Sequence, residues 1–217
     1  MSAATRTSVS RTLALCASVV IVVLSTGCER FVAGHEAKDH AFNASATVAS
    51  GCASSGYPLL TLRTRLDEPS MAIPKPPGWT PVRFGKAGAP LRIFMVNKDL
   101  RDTSAKFTPR AVVGLDDYTG RARTPEEALD QELRDIGLTF LSKTPGVLCG
   151  HPSITVLHEY RDEPRTLVKM RAVAGEFGKR MYVAIVSTMS TQPYNERYLA
   201  GQQAILDGFA VLFAGKY

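Results

Sequence analysis

Four cysteines, four histidines and a scatter of carboxylates are the side chains of this 217-residue chain with the widest chemistry. Their spacings exclude most of it. The chain has no Cys-x-x-Cys pair and no Gly-x-Ser-x-Gly elbow, so the common redox and hydrolase signatures are absent. HEAKDH places His35 and His40 five residues apart, about 140° around a helix, whereas a zincin needs two histidines four apart on one face. GEFGKR sets its glycines too close for a phosphate loop and puts Arg180 where Ser or Thr is required. Asp116 and Asp117 are adjacent on an expected strand and point to opposite faces, which separates them as a carboxylate pair. Glu126, Glu127 and Glu132 are expected on the exposed face of a helix. His158 sits in a strand with no partnered Ser, Cys or carboxylate motif and reads as a structural residue, with a catalytic base as the alternative. No catalytic residue, metal or cofactor is therefore assigned, and the chain reads as a non-enzyme.

The remaining chemistry lies in the cysteines. LALCASVVIVVL (13–24) is a twelve-residue apolar block behind Arg6 and Arg11. A bilayer-spanning helix wants about 20 apolar residues, so this block fits the charged start and short apolar core of an export signal. Small residues then lead through LSTGCER into Cys28. The stretch resembles a bacterial lipobox, in which a cysteine receives diacylglycerol and becomes the first residue after cleavage. Ser25 stands where that pattern prefers Leu, Val or Ile. Lipidation of Cys28 would leave a stable membrane anchor, since each buried methylene contributes about 0.8 kcal/mol and two chains suffice to hold a protein.

Parity supports this reading. Cys16 leaves with the signal, and a lipidated Cys28 leaves Cys52 and Cys149 as one pair. An exported protein is placed to oxidise such a pair; two buried, unpaired thiols are the alternative. The formal charge is +6 and falls to +4 once Arg6 and Arg11 are removed. Between Tyr57 and Arg123 there are 12 Lys and Arg against 6 Asp and Glu. Nucleic acid is a poor partner for an exported chain, so this stretch reads as a solvated basic face or one that meets anionic lipid or acidic envelope polymer.

Three regions follow: a lipoprotein signal peptide over 1–27, an Ala/Ser/Gly-rich tether over 28–56, and a folded domain over 57–217. In the last, YPLLTLR and MAIP read as short extended pieces, and PKPPG as a stiff turn ahead of the lone Trp79, expected as a core plug with ligand stacking as the alternative. LRIFMVN and AVVGLDDY read as neighbouring strands with a long loop between them. TPEEALDQELRDIGL has a complete helix start: Thr124 as cap, Pro125 in the first turn, Glu127 for a capping box, and Leu129, Leu133 and Ile136 along one stripe up to Gly137. SITVLHEYR, TLVKMRAV and RMYVAIVST are joined by short turns and read as an antiparallel meander. YNERYLAGQQAILDGFAVLF (194–213) reads as one C-terminal helix packing Leu199, Leu206, Phe209 and Phe213. The expected fold class is α+β, an antiparallel β-sheet flanked by helices.

IPKPPGW, VNKDLRDTSAKFTPRAVVGL, TPEEALDQEL, VLCGHPSITVLHEY and the closing ILDGF resemble, in order and spacing, the LpqN/LpqT lipoprotein family of mycobacteria over about residues 52–213. The resemblance implies a PsbP-like α/β sandwich and a cell-envelope lipoprotein held on the extracytoplasmic face of the membrane, or partly secreted. It also implies a binding or accessory role toward envelope glycolipids such as trehalose mycolates, or toward an envelope or host protein. Cys52 and Cys149 fall where that group has a cysteine pair. It transfers no ligand-binding residue. An elongated apolar cavity beneath the helices would favour lipid capture, and a solid core with a flat apolar patch would favour protein contact.

Overall fold

The computed structural model describes Cys52, residues 55–161 and residues 164–213. The segment expected as a signal, most of the expected tether, Cys28, His35 and His40 lie outside the described residues.

The chain first forms two short strands, β1 (Leu59–Thr61) and β2 (Ser70–Pro74), and then β3 (Trp79–Phe84) and β4 (Leu91–Asn97). A 3-10 turn at Lys98–Leu100 opens the loop to β5 (Arg110–Asp117). Helix α1 (Pro125–Ile136) is followed by β6 (Phe140–Leu148), β7 (His151–Tyr160), β8 (Thr166–Phe177) and β9 (Arg180–Ser190). Helix α2 (Glu196–Asp207) and β10 (Ala210–Leu212) complete it. Seven strands make one antiparallel sheet in the order β3-β4-β5-β9-β8-β7-β6, and β1-β2-β10 make a second small sheet. This is the expected α+β architecture.

Alternation along the strands builds two apolar layers. Ile93, Met95, Val113, Leu115, Ala184 and Val186 face α2 and the small sheet, where they meet Met71, Ile73, Ile205, Leu206, Phe209 and Val211. On the opposite face Ala172, Ala174, Met181 and Val183 pack under Ala128 and Leu129 of α1, and Val156 and Met170 under Leu133. The start of α1 follows its sequence: Thr124 Oγ1 accepts from Glu127 N at 3.2 Å, and Gly137 closes the helix at φ 66°. The box differs in one bond, since Glu127 Oε2 accepts from Arg123 N, one residue ahead of the cap.

Trp79 is a core plug, 1% exposed. Its indole lies against α2 at Gly201, where a Cβ would come within 2.3 Å of Nε1. Glycine here permits close approach, which outweighs its poor helix propensity.

Four expectations change. The C-terminal segment is not one helix: α2 ends at Asp207, Gly208 caps it, and β10 then pairs with β2. Chain continuing as helix beyond Gly208 would forgo those ladder bonds. Leu199 is exposed, and Tyr198, Gly201, Gln202 and Ile205 take the buried face in its place. Strands β3 and β6, unassigned from sequence, form the two edges of the large sheet. Each carries a proline, Pro81 and Pro145, and a register irregularity, the features that blunt an edge and erase its sequence signal. Finally, Glu132 is buried, 5% exposed, beneath α1.

Cys52 and Cys149 form a disulfide across 97 residues. Cys149 sits in the β6–β7 turn at φ 52°, followed by Gly150 at φ 81°. The bridge fixes the segment before β1 to the sheet.

Candidate functional site

The antiparallel sheet has two ends. One gathers the β3–β4, β6–β7 and β8–β9 turns; the other gathers the β4–β5 loop, the β7–β8 turn and the segment between β9 and α2. At the second end a cleft of about 590 Å³ opens between Glu159, Arg165 and Leu167 on one wall and Thr191–Asn195 on the other.

Local bonding holds both walls. Arg165 Nε donates to Glu159 Oε1 at 2.5 Å, and that guanidinium holds the Glu159 carboxyl below the usual range. Thr166 Oγ1 donates to Pro164 O at 2.7 Å and so fixes the start of β8. On the facing wall Thr191 Oγ1 donates to Asp102 Oδ2 at 2.9 Å. Asp102 also accepts from Ser104 Oγ, Ser104 N and Ala105 N, and these bonds bring its carboxyl down to about 2. Gln192 N donates to Ser190 Oγ, and Asn195 Oδ1 accepts from Tyr198 N to cap α2. The Tyr194 ring stands at the rim, 84% exposed. An exposed aromatic face beside a carboxylate, a guanidinium and an amide can take a flat polyhydroxyl ligand by stacking and hydrogen bonding. Both described helices pack on clusters of buried apolar side chains, and this cleft lies at the surface with a mixed lining in which Leu167, Pro193 and Tyr194 stand among polar groups.

The residues singled out in the sequence lie elsewhere. His158 is buried; its Nδ1 is 2.6 Å from Thr139 O, its ring meets Tyr160 edge to face at 4.6 Å, and Nε2 has no hydrogen-bond partner among the described residues. Asp116 and Asp117 do point to opposite faces: Asp116 toward Arg121 and Asp135 beneath α1, Asp117 toward Arg180 at 3.5 Å. GEFGKR is the β8–β9 turn, with Gly178 at φ 64°.

Sequence reasoning missed a carboxylate cluster under α1. Glu132 Oε2 lies 2.7 Å from the Tyr118 hydroxyl, which also lies 3.0 Å from Asp135 Oδ2. Arg121 pairs with Asp135 and stacks over the Tyr118 ring at 4.4 Å. Burial pushes Glu132 up to about 7, and the negative charges of Asp116 and Asp135 add to it. Glu132 is four residues after Ala128 and three after Leu129, on the buried stripe, and that spacing is the signal that could have found it. Among the described residues no cluster of His, Cys, Asp and Glu can hold a metal ion.

The most informative comparison is with the crystal structure of LpqN, involved in cell envelope biogenesis of Mycobacterium tuberculosis. The TM-score is 0.55 at 15% identity, over 71% of this chain and 91% of LpqN. The chain shares the LpqN fold. At that identity the likeness is one of fold and not of family membership. Mog1p, a Ran-binding protein of Saccharomyces cerevisiae, aligns with a TM-score of 0.42 at 13% identity, over 64% of this chain and 88% of Mog1p. No family model and no curated protein matches the chain. Among the described residues no helix is long and apolar enough to cross a membrane.

Proposed function

We propose that this chain is a membrane-anchored cell-envelope lipoprotein, tethered through Cys28, that binds the carbohydrate head of an envelope glycolipid without making or breaking a covalent bond. The observation that carries the reading is the cleft at the end of the meander, where Tyr194, Glu159, Arg165 and Gln192 surround about 590 Å³. Its mixed lining offers an aromatic ring and apolar side chains for the carbon face of a sugar, and a carboxylate, a guanidinium and amides for its hydroxyls. A cleft open at the surface takes the polar part of a lipid, so the reading is one of head-group recognition and not of capture of the whole lipid. The LpqN fold and the envelope role of LpqN support the compartment.

Native mass spectrometry of the chain extracted from envelopes tests the reading. A lipid-sized adduct is expected, and Tyr194→Ala or Arg165→Ala should weaken its retention about tenfold, the loss of a stacked or charge-assisted contact. A clean apo spectrum would transfer the function to protein contact. Intact mass of the same sample should carry acyl groups on Cys28; an unmodified mass removes the anchor.

A further inference from the structure

The end of the sheet opposite the cleft carries an apolar tip on a rigid base. The β1–β2 loop projects Leu66 entirely into solvent, 103% exposed, and the neighbouring edge strand β3 exposes Val82 at 50% and Phe84 at 47%. Exposed apolar groups on a loose loop would mean little. These loops are tied together by a side chain the core could have made apolar. Arg92, 2% exposed, donates through Nη2 to Glu68 Oε1 at 2.8 Å in the β1–β2 loop, and through Nη1 to Arg63 O at 3.4 Å and to Lys86 O at 3.5 Å in the β3–β4 turn. Glu68 Oε2 accepts from Arg65 N at 2.7 Å, and Tyr182 Oη donates to Asp67 O at 2.9 Å. A buried ion pair is costly to desolvate and adds little net stability; its effect here is to fix the position of Leu66.

Charge accompanies the tip. Arg63, Arg65, Arg83 and Lys86 are exposed around it. Across the segments at this end, 63–68, 83–92, 117–123 and 176–180, nine Lys and Arg face four Asp and Glu. Three of those acids are engaged, Glu68 with Arg92, Asp67 with Arg65 and Arg180, and Asp117 with Arg180. The disulfide supplies an independent bearing. Cys149 lies in the β6–β7 turn, at this same end, so the chain arriving from residue 28 is bonded to the fold here and not beside the cleft. The 24 Cα–Cα steps from Cys28 to Cys52 reach at most roughly 80 Å, so an anchor alone permits many orientations, and the surface must select one.

We propose that this end, with Leu66, Val82 and Phe84 surrounded by Arg63, Arg65, Arg83 and Lys86, docks on the anionic surface of the bilayer. The apolar tip enters the interface, the cations meet lipid phosphates, and the glycan cleft is held on the far side, facing away from the membrane. Apolar insertion and electrostatic attraction act together at such surfaces, with each Lys or Arg near the headgroups contributing about 1 kcal/mol. An acidic wall polymer would use the cations and leave the exposed leucine unexplained. The orientation rests on the anchor reading above; the docking surface does not.

Brominated lipids test it on the full chain as purified, reconstituted in phosphatidylcholine vesicles with or without phosphatidylglycerol. Native Trp79 is buried and serves as a constant background. A Leu66→Trp variant should be quenched in vesicles containing phosphatidylglycerol, and a Tyr194→Trp variant should not. Adding Arg63→Glu and Lys86→Glu, whose side chains are not the groups that Arg92 grips, should weaken the quenched state about tenfold or more. Equal quenching in neutral vesicles, quenching at 194 in place of 66, or binding of soluble polyglutamate with no quenching at 66 would each overturn the proposal. Intact mass of the same preparation keeps the two readings apart. If Cys28 carries no acyl group, the anchor fails, and the unacylated chain added to preformed vesicles still reports docking through residue 66.

Discussion

Glu132 is a carboxyl that the fold prefers to keep protonated. Burial raises it to about 7 from an ordinary value near 4.5, while the Tyr118 hydrogen bond pulls the other way. A group whose folded value is raised binds its proton more tightly in the native state, so its contribution is fully present below about pH 4.5 and is lost as pH rises toward 7. The difference amounts to about 3 kcal/mol. Thermal melts should therefore give a higher Tm at pH 5 than at pH 8, and Glu132→Gln should raise the pH 8 value and flatten the profile. A Glu132→Gln protein with the wild-type pH dependence would show that another group carries it. In the sequence Glu132 looked solvated because helix surfaces are rich in glutamate. What placed it inside was the angular position it shares with Ala128 and Leu129 and the reach of Tyr118 from beyond β5.

Element by element, the meander, β4, β5 and α1 were legible because their signals are local: alternation for the strands, cap and stripe for the helix. The edges were not. β6 reads FLSKTPGVL, where Pro145, Gly146 and exposure on both faces leave no period to detect. α2 was misread at its end because Leu206, Phe209 and Phe213 keep a near-helical spacing, although Gly208 breaks the helix and β2 offers Ala210–Leu212 a ladder. The helix itself carries a second prediction. In isolation Gly201→Ala would favour helix by about 1 kcal/mol, whereas here the new methyl meets Trp79 Nε1 at 2.3 Å. Overpacking should win, with a loss of about 1 to 3 kcal/mol in urea unfolding. A stabilised Gly201→Ala protein would mean that α2 can lift off Trp79 at little cost. Thr124→Ala should remove the bond to Glu127 N and destabilise by about 1 kcal/mol, with helicity falling mainly over the first turn of α1 in amide exchange.

For the whole molecule, the covalent frame was legible in the cysteine count: one pair remained once Cys16 and Cys28 were set aside, and the fold joins Cys52 to Cys149. Closing 97 residues constrains the unfolded chain by about 4 to 5 kcal/mol in the chain-entropy account. Cys52→Ser and Cys149→Ser should each lower Tm in oxidising buffer, and reductant should lower the wild type to the same level. An unmoved wild type would show that the bridge adds nothing. The candidate cleft was the least legible feature, since Glu159, Arg165 and Thr191–Asn195 come from three separated segments and meet through the β7–β8 turn and the approach to α2. No spacing in the sequence encodes that meeting.

The position of the bridge also decides how the domain bears a load. Under the proposed anchor at Cys28, a pull on the tether would enter the fold at Cys52 whenever the wall or a bound partner moves. Without a crosslink it would fall on β1, three residues paired only to β2, and would peel that strand away like a zip. With Cys52 bonded to Cys149, tension passes around β1 into the β6–β7 turn, from which two strands of 9 and 10 residues run into the large sheet. Single-molecule stretching from residue 28 should then show the weak step that releases β1 only after reduction.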